Sequence, residues 1–549
     1  MSTKSHRGVD TAFSRDYSHS RCGRCSLISR PNFSLSLHAQ RLEEAAMTQL
    51  TTGTSSQAYT STADFEAAYN TLHATYATHK TKDIRWRKWQ LKQLWWLIVD
   101  NTDAICEALH ADLGRTEAEA RMYDIADVKK DIKECLDNID VWAKGHAAEG
   151  AGFLMGRLGG AWVRRDPLGV CLIIGAWNFP IMTLLSPLCP AIAAGNCAML
   201  KPSELAGATA ELIVELLPKY MDNSAIRIAT GGPKETGLIL ERKWNHIFYT
   251  GGSKVGRIIA TAAAKHLTPT VLELGGQAPA IICKSANVDL AAKRIANFKI
   301  ANLGQICVNV NHIIADPEIY DAFVARLQHW LEHFLEEEAE NPWLARIISP
   351  GHYDRIHSIL SSTKGRILTT GPHDPSRNFI HPTIIADVTF DDSVITSGEL
   401  FAPLIPVIKA DLPAALDTLA PGSKMADPLA LYIFSNSQPE IDNILPQTSS
   451  GGVSINDLAV QYGVPGAPFG GVGESGMGAY HGKWGFESFS HARPVVNLPL
   501  WLEGGMQWRY GRPTIAKLSN FDTAKATWKR GETLEQQSSG QKGWFGWLW

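Results

Sequence analysis

Val170-Cys171-Leu172-Ile173-Ile174-Gly175 is a short, unbroken apolar run that follows a turn at Asp166-Pro167-Leu168-Gly169. A run of this length, bounded by proline and glycine, reads as a strand buried on both faces, as in a parallel sheet. Working outward, Ala198–Leu200, Ile226–Ala229 and His246–Tyr249 read as further strands of the same kind. Residues 205–220 and 257–266 read as helices between and after them. Strands alternating with helices predict a doubly wound α/β sheet. The alternation resumes beyond Glu273 with Ala280–Cys283, Val288–Ile300, Asn311–Ala315 and Pro317–Leu335, which predicts a second α/β domain. Upstream, Asp64–Lys144 is helical in pattern, and Trp86, Trp89, Leu91, Leu94, Trp95 and Ile98 recur at helical spacing as an expected core stripe. Residues 470–478, rich in glycine, read as a loop.

With 549 residues and 45% apolar content, the chain can bury large cores and has the composition of a globular protein. Its net charge of −3 offers no basic face for nucleic acid. Nine scattered cysteines, an odd number, suggest reduced thiols in a cytoplasmic-type compartment instead of a disulfide framework. Cys22 and Cys25 form a CxxC with no second pair at zinc-ligand spacing, so no metal site is assigned.

The chemistry concentrates in two short blocks. Gly304-Gln305-Ile306-Cys307 ends a glycine-containing loop on a cysteine, and Glu273-Leu274-Gly275-Gly276 offers a carboxylate. A thiolate nucleophile with a base for the thiol or for water is what acyl transfer through a thioester requires. Each piece alone is weak, because a lone cysteine is often a small buried hydrophobe.

Further blocks keep a fixed order: Gly175-Ala176-Trp177-Asn178-Phe179-Pro180, Leu200-Lys201-Pro202-Ser203-Glu204, Thr250-Gly251-Gly252-Ser253-Lys254-Val255-Gly256, Glu399-Leu400-Phe401-Ala402-Pro403 and Pro468-Phe469-Gly470-Gly471. With the two chemical blocks, this series resembles the NAD(P)-dependent aldehyde dehydrogenase superfamily from about residue 65 to about residue 510. Ala262-Ala263-Ala264-Lys265-His266-Leu267-Thr268-Pro269, Gly476-Met477-Gly478-Ala479-Tyr480-His481-Gly482-Lys483 and Phe489-Ser490-His491 bring it nearest to the class 3 and fatty aldehyde branch, which includes fungal apocarotenal dehydrogenases.

The resemblance implies a Rossmann-type cofactor domain, a second α/β catalytic domain and a small oligomerisation segment. The corresponding spans here are 63–275, 276–470 and 471–510, with a leader over 1–62 and a flexible tail over 511–549 ending in aromatics. It implies oxidation of a lipophilic aldehyde (long-chain aliphatic, aromatic or apocarotenoid) to its acid. Cys307 is then the nucleophile, Glu273 the base and Asn178 the amide donor to the oxyanion. Gly251, Gly252, Ser253 and Gly256 fall at a helix start suited to pyrophosphate. Trp177, Lys201, Glu204, Glu399 and Phe401 complete the implied cofactor site. A carboxylate at Glu204 favours NAD over NADP by repelling a 2′-phosphate, although class 3 relatives often accept NADP. The pattern departs from the family at Gly252, Gln277, Ile306, Gly398 and Ala402.

Two other classes compete: a catalytically silent binding protein of the same fold, and a CoA-acylating dehydrogenase. NADH formation separates the first, and a CoA requirement the second. The resemblance also implies a homodimer.

Residues 1–46, rich in Ser and Arg and poor in acids, fit a mitochondrial transit peptide, an unstructured leader, or an over-extended gene model whose true start is Met47. The terminus Trp544-Phe545-Gly546-Trp547-Leu548-Trp549 fits either peripheral membrane contact, reinforced by Lys529, Arg530 and Lys542, or packing back onto the body. No apolar run is long enough to span a bilayer.

Overall fold

The computed structural model describes residues 59–336, 343–369, 371–423, 425–512, 514–518 and 533–534. The expectations for residues 1–46 and for Trp544–Trp549 therefore lie outside the described residues.

Val170–Ile174, buried at every position, lies near the middle of a six-stranded sheet. The sheet runs in the order Gly476–Met477, Thr270–Glu273, His246–Thr250, Val170–Ile174, Cys197–Lys201, Ile226–Ile228. All pairings are parallel except the edge strand Gly476–Met477, which runs antiparallel with Gly476 opposite Glu273. That edge strand falls inside the stretch expected to be a loop. Its cause is glycine: Gly476 sits at φ +139, and a Cβ there would lie 2.0 Å from the Leu272 carbonyl oxygen. Only a residue without a side chain lets this segment close on the strand that ends in Glu273.

A second, seven-stranded sheet has the order Arg366–Thr369, Thr383–Val388, Leu404–Lys409, His312–Ala315, Pro279–Ile282, Ala430–Phe434, Gly452–Ile455. It is parallel apart from the first pair. The helices Val288–Ile300 and Tyr320–Phe334 pack together beside it. This is the expected α/β Rossmann-type architecture. A third, three-stranded antiparallel sheet joins His146–Ala147, Trp162–Pro167 and Ser490–Val495. Trp162–Pro167 alternates outward-facing residues and gave no continuous apolar signal, so the sequence showed only the turn at its end.

The helical stretch resolves into Thr62–Ala77, Ile84–Asp100, Thr102–Leu113 and Ala126–Lys144. The expected core stripe is split. Leu91, Leu94 and Ile98 are buried, but Trp89 is 58% exposed. Trp86 donates its indole N–H to Asp222 at 2.8 Å. Thr60 and Ser61, placed in the leader by sequence, are tied to the body. Thr60 N–H donates to the Thr230 carbonyl at 3.1 Å, and Ser61 caps the helix that starts at Thr62.

Candidate active site

A cavity of about 510 Å³ brings Trp177, Asn178, Gly251, Gly252, Glu273, Cys307, Glu399 and Phe401 onto one surface. These are eight of the twelve residues that sequence assigned to catalysis or cofactor binding. The other four are elsewhere. Lys201 and Glu204 form an ion pair at 2.6 Å, and Glu204 lies on a small separate cleft with Pro202, Ser203, Thr230 and Gly231. Ser253 directs its hydroxyl to the Glu474 carbonyl at 3.5 Å. Gly256 has a packing role: a Cβ there would meet the Leu274 side chain at 2.7 Å, so its absence lets helix and strand approach.

Cys307 follows a strained loop. Asn302 and Leu303 both have left-handed backbones, at φ 45 and φ 51, and Gly304 follows at φ +74. A Cβ on Gly304 would come 2.3 Å from the Ala402 carbonyl oxygen. The thiol loop therefore presses directly on the loop carrying Glu399 and Phe401.

Such backbone conformations persist only when their surroundings fix them. Here the fixing groups are side chains that the sequence reading missed. Asn302 donates its amide to the carbonyls of Asn178 at 3.1 Å and Gln305 at 3.0 Å. Gln305 spans the loop, donating to Asn302 O and Arg346 O at 3.0 Å each and accepting from Ile348 N at 3.1 Å. Arg115, fully buried, donates to Asn302 Oδ1 at 2.9 Å and also to the Asn178 carbonyl and the Asp124 carboxylate. Asp124 in turn accepts the backbone N–H groups of Ile181 at 3.1 Å and Met182 at 2.9 Å. One buried guanidinium thus fastens the Asn178 loop to the Cys307 loop. The available signal in the sequence was Asn302 itself, a residue type that tolerates the left-handed region, two places before Gly304.

The Asn178 amide donates to the Gln305 carbonyl at 3.2 Å. That uses one of its two N–H bonds and leaves the other for a ligand. Burial, then Glu399 and Glu273, push the Cys307 thiol up to about 12. Burial also lifts Glu273 well above the usual carboxylate range, and neither of its carboxyl oxygens has a protein partner among the described residues. Burial raises Glu399 to about 7 against the pull of Gly276 N–H, Arg355 and Lys299.

Gln277, where the family usually has lysine, donates to the carbonyls of Ile395 at 2.6 Å and Gly398 at 3.2 Å. It anchors the segment that leads into Glu399. Ala402 is fully buried and Phe401 sits at φ 49, stacked edge-on to Trp177 at 5.4 Å.

The groups suit a nicotinamide dinucleotide. Gly252 caps the helix Ser253–Ala264 without a side-chain hydrogen bond, and the space beside its α-carbon is open. Uncapped N–H groups at such a helix end are ready partners for phosphate. Carboxylates at Glu204 and Glu399 are the acceptors that ribose hydroxyls require.

A thiol, an orphan buried carboxyl and a spare amide donor thus share one cavity on a doubly wound scaffold. The aldehyde dehydrogenase family model matches residues 43–495, and the chain belongs to that family. It is 38% identical to the rat protein named aldehyde dehydrogenase, dimeric NADP-preferring, over 80% of this chain and 95% of that one. It is 37% identical to the beta-apo-4'-carotenal oxygenase of Neurospora crassa, over 81% of this chain and 83% of the relative. Among solved structures, the substrate-bound state of Staphylococcus aureus AldH superposes with a TM-score of 0.75 at 32% identity, covering 81% of this chain and 98% of that one. The protein is an aldehyde dehydrogenase.

Proposed function

We propose that this enzyme oxidises a lipophilic aldehyde to its carboxylic acid with NAD or NADP, through a covalent thioester on Cys307. The observation that carries the proposal is the meeting of Cys307, Glu273 and Asn178 in a cavity that is also lined by Met122, Met182, Phe179, Phe298 and Phe469. When bound, the dinucleotide supplies the acceptor for the two electrons that the aldehyde loses. Gly251, Gly252, Glu399 and Phe401 would hold it along the main cavity, with Glu204 and its partner Lys201 at the separate cleft.

The chain's own residues do the remainder. Cys307 Sγ bonds to the carbonyl carbon and gives a thiohemiacetal oxyanion. The free Asn178 N–H and the Cys307 backbone N–H would meet that charge. The thiol proton passes to solvent, and Glu273 takes the proton of the water that cleaves the thioester as Cys307 Sγ leaves. The burial of Glu273 raises its proton affinity, which strengthens it as a base. The apolar wall favours a long aliphatic, aromatic or apocarotenoid chain, and the name of the Neurospora crassa relative agrees with the last of these. Glu204 supports a preference for NAD, although the rat relative's name says NADP-preferring.

We further propose a homodimer, supported by that relative's name and by the exposed apolar side chains Trp162 and Val496 in and beside the three-stranded sheet. The cysteines among the described residues are all free, which supports a reducing, cytoplasmic-type location. No helix of the described residues is long and apolar enough to cross a membrane. Peripheral contact through Trp544–Trp549 remains a proposal from sequence, testable by liposome flotation of the full chain and of a chain ending at Gln541.

Stopped-flow NADH detection tests the mechanism. The parent protein, mixed with NAD and a long-chain aldehyde, should turn over steadily. Glu273→Gln should give an NADH burst with little turnover afterwards. Cys307→Ala should give neither while still binding NAD. Activity in Cys307→Ala beyond a trace would overturn the assignment.

A further inference from the structure

Asp127 is a carboxyl of the catalytic cavity that the reaction does not use. Several other polar groups of the lining already have protein partners. Thr183 bonds the Ala176 backbone, Arg355 donates to the Leu400 carbonyl at 2.6 Å, and His352 pairs with Ser349 at 2.8 Å. The same cavity is lined by Met122, Phe179, Met182, Tyr462 and Phe469, together with Asp127. Met122 lines the cavity yet is 62% exposed, so it marks the rim, and Asp127 stands a little over one helical turn further along the chain.

Asp127 makes no ion pair among the described residues. The cations near it are committed elsewhere. His481 faces Asp131 at 3.2 Å, and Lys130 donates to the Gly463 carbonyl at 3.0 Å, tying this helix to the loop that carries Tyr462. Burial and the Asp131 carboxylate push Asp127 up to about 6, against His481, the Tyr462 hydroxyl and Lys130. This carboxyl meets the Tyr462 hydroxyl but pairs with no cation among the described residues, so its remaining acceptor sites in an apolar wall favour a further hydrogen-bond donor. Near neutral pH it exists in both protonation states. A hydroxyl can donate to the carboxylate and accept from the acid, so it pairs with either form. An ammonium pairs only with the charged form and would itself have to shed water among Met122, Phe179 and Phe469.

We propose that Asp127 selects aldehydes carrying a hydroxyl group remote from the carbonyl. The substrate then enters with its aldehyde at Cys307, its chain along the Met and Phe wall, and its hydroxyl at Asp127. The inference rests on reading this cavity as the aldehyde site.

The test compares kcat/KM for straight-chain aldehydes and their terminal hydroxy counterparts, matched in carbon number across medium and long chains. A terminal amino series is the third arm. The parent should prefer the hydroxy series by about tenfold at the best chain length. Asp127→Asn, whose amide both donates and accepts, should keep most of that preference. Asp127→Leu should invert it, raising the plain aldehyde and lowering its hydroxy counterpart. An unmoved ratio in Asp127→Leu with full activity would overturn the assignment of Asp127 alone. Preference for the amino series would overturn the hydroxyl in favour of a cation. Failure of the parent to oxidise any aldehyde would instead remove the underlying reading of the site.

Discussion

The two parallel sheets meet the cavity from opposite ends of their strands. In the six-stranded sheet the site residues sit at carboxyl ends. Trp177 and Asn178 follow Val170–Ile174, Gly251 follows His246–Thr250, and Glu273 closes Thr270–Glu273. This is the usual place for ligands in open α/β sheets, where the strand itself aims the following loop. In the seven-stranded sheet the site residues come before their strands. Cys307 precedes His312–Ala315, Glu399 and Phe401 precede Leu404–Lys409, and Gly275 precedes Pro279–Ile282. No strand end aims these loops. Side chains do so instead: Asn302, Gln305 and Arg115 for the thiol, and Gln277 and Asn311 for the Glu399 loop. The first region is positioned by its backbone, the second by a network of buried amides and one guanidinium.

That contrast can be broken most sharply at Asn178, which belongs to both regions. Asn178→Ala should lower kcat by about 10²–10³, the usual cost of one oxyanion donor, with dinucleotide affinity unchanged. A loss in KM alone would show that it positions substrate only. Next is the thiol. With its ionisation pushed up to about 12, Cys307 in cofactor-free protein is protonated at neutral pH. Its alkylation by iodoacetamide should therefore rise about tenfold per pH unit through the mildly alkaline range, with no plateau there. A plateau near neutrality would mean that the resting protein already holds a thiolate.

Arg115→Lys keeps the buried charge but loses the fork that joins both loops. We expect kcat to fall by about tenfold with KM for NAD little changed. Arg115→Leu should instead destabilise the whole fold by about 3–5 kcal/mol, because Asp124 is left buried and unpaired. Chemical denaturation distinguishes the two variants. The smallest effect belongs to the backbone-positioned region. Glu204→Gln should narrow the NAD over NADP preference by about fivefold or less, since the carboxylate already shares its charge with Lys201 at 2.6 Å. Ratios of kcat/KM for the two cofactors give the answer, and an unchanged ratio would move discrimination away from Glu204.

The sequence by itself determined the parallel strands, because strands buried on both faces are continuous apolar runs such as Val170–Ile174. It also singled out Cys307, Glu273 and Asn178, through the family resemblance, as candidates for nucleophile, base and oxyanion donor, and the fold brings the three to one cavity. Tertiary structure alone decided the rest. Nothing local marks Trp162–Pro167 as a strand, since its pairing with Ser490–Val495 joins segments far apart in the chain. The burial of Arg115 is equally invisible in sequence, because its partners Asp124, Asn178 and Asn302 come from three separate segments. Gly251 and Gly256 look alike in sequence, yet one lines the cavity and the other receives Leu274. Asp127 reads as an ordinary solvated residue in the first turn of a helix, and only the packing of Met182, Tyr462 and Phe469 around the same cavity gives its carboxyl an apolar setting. Residue type and periodicity are carried along the chain. Desolvation and close approach arise only when distant segments meet, and those two effects set the pKa values and the hydrogen-bond partners on which this site depends.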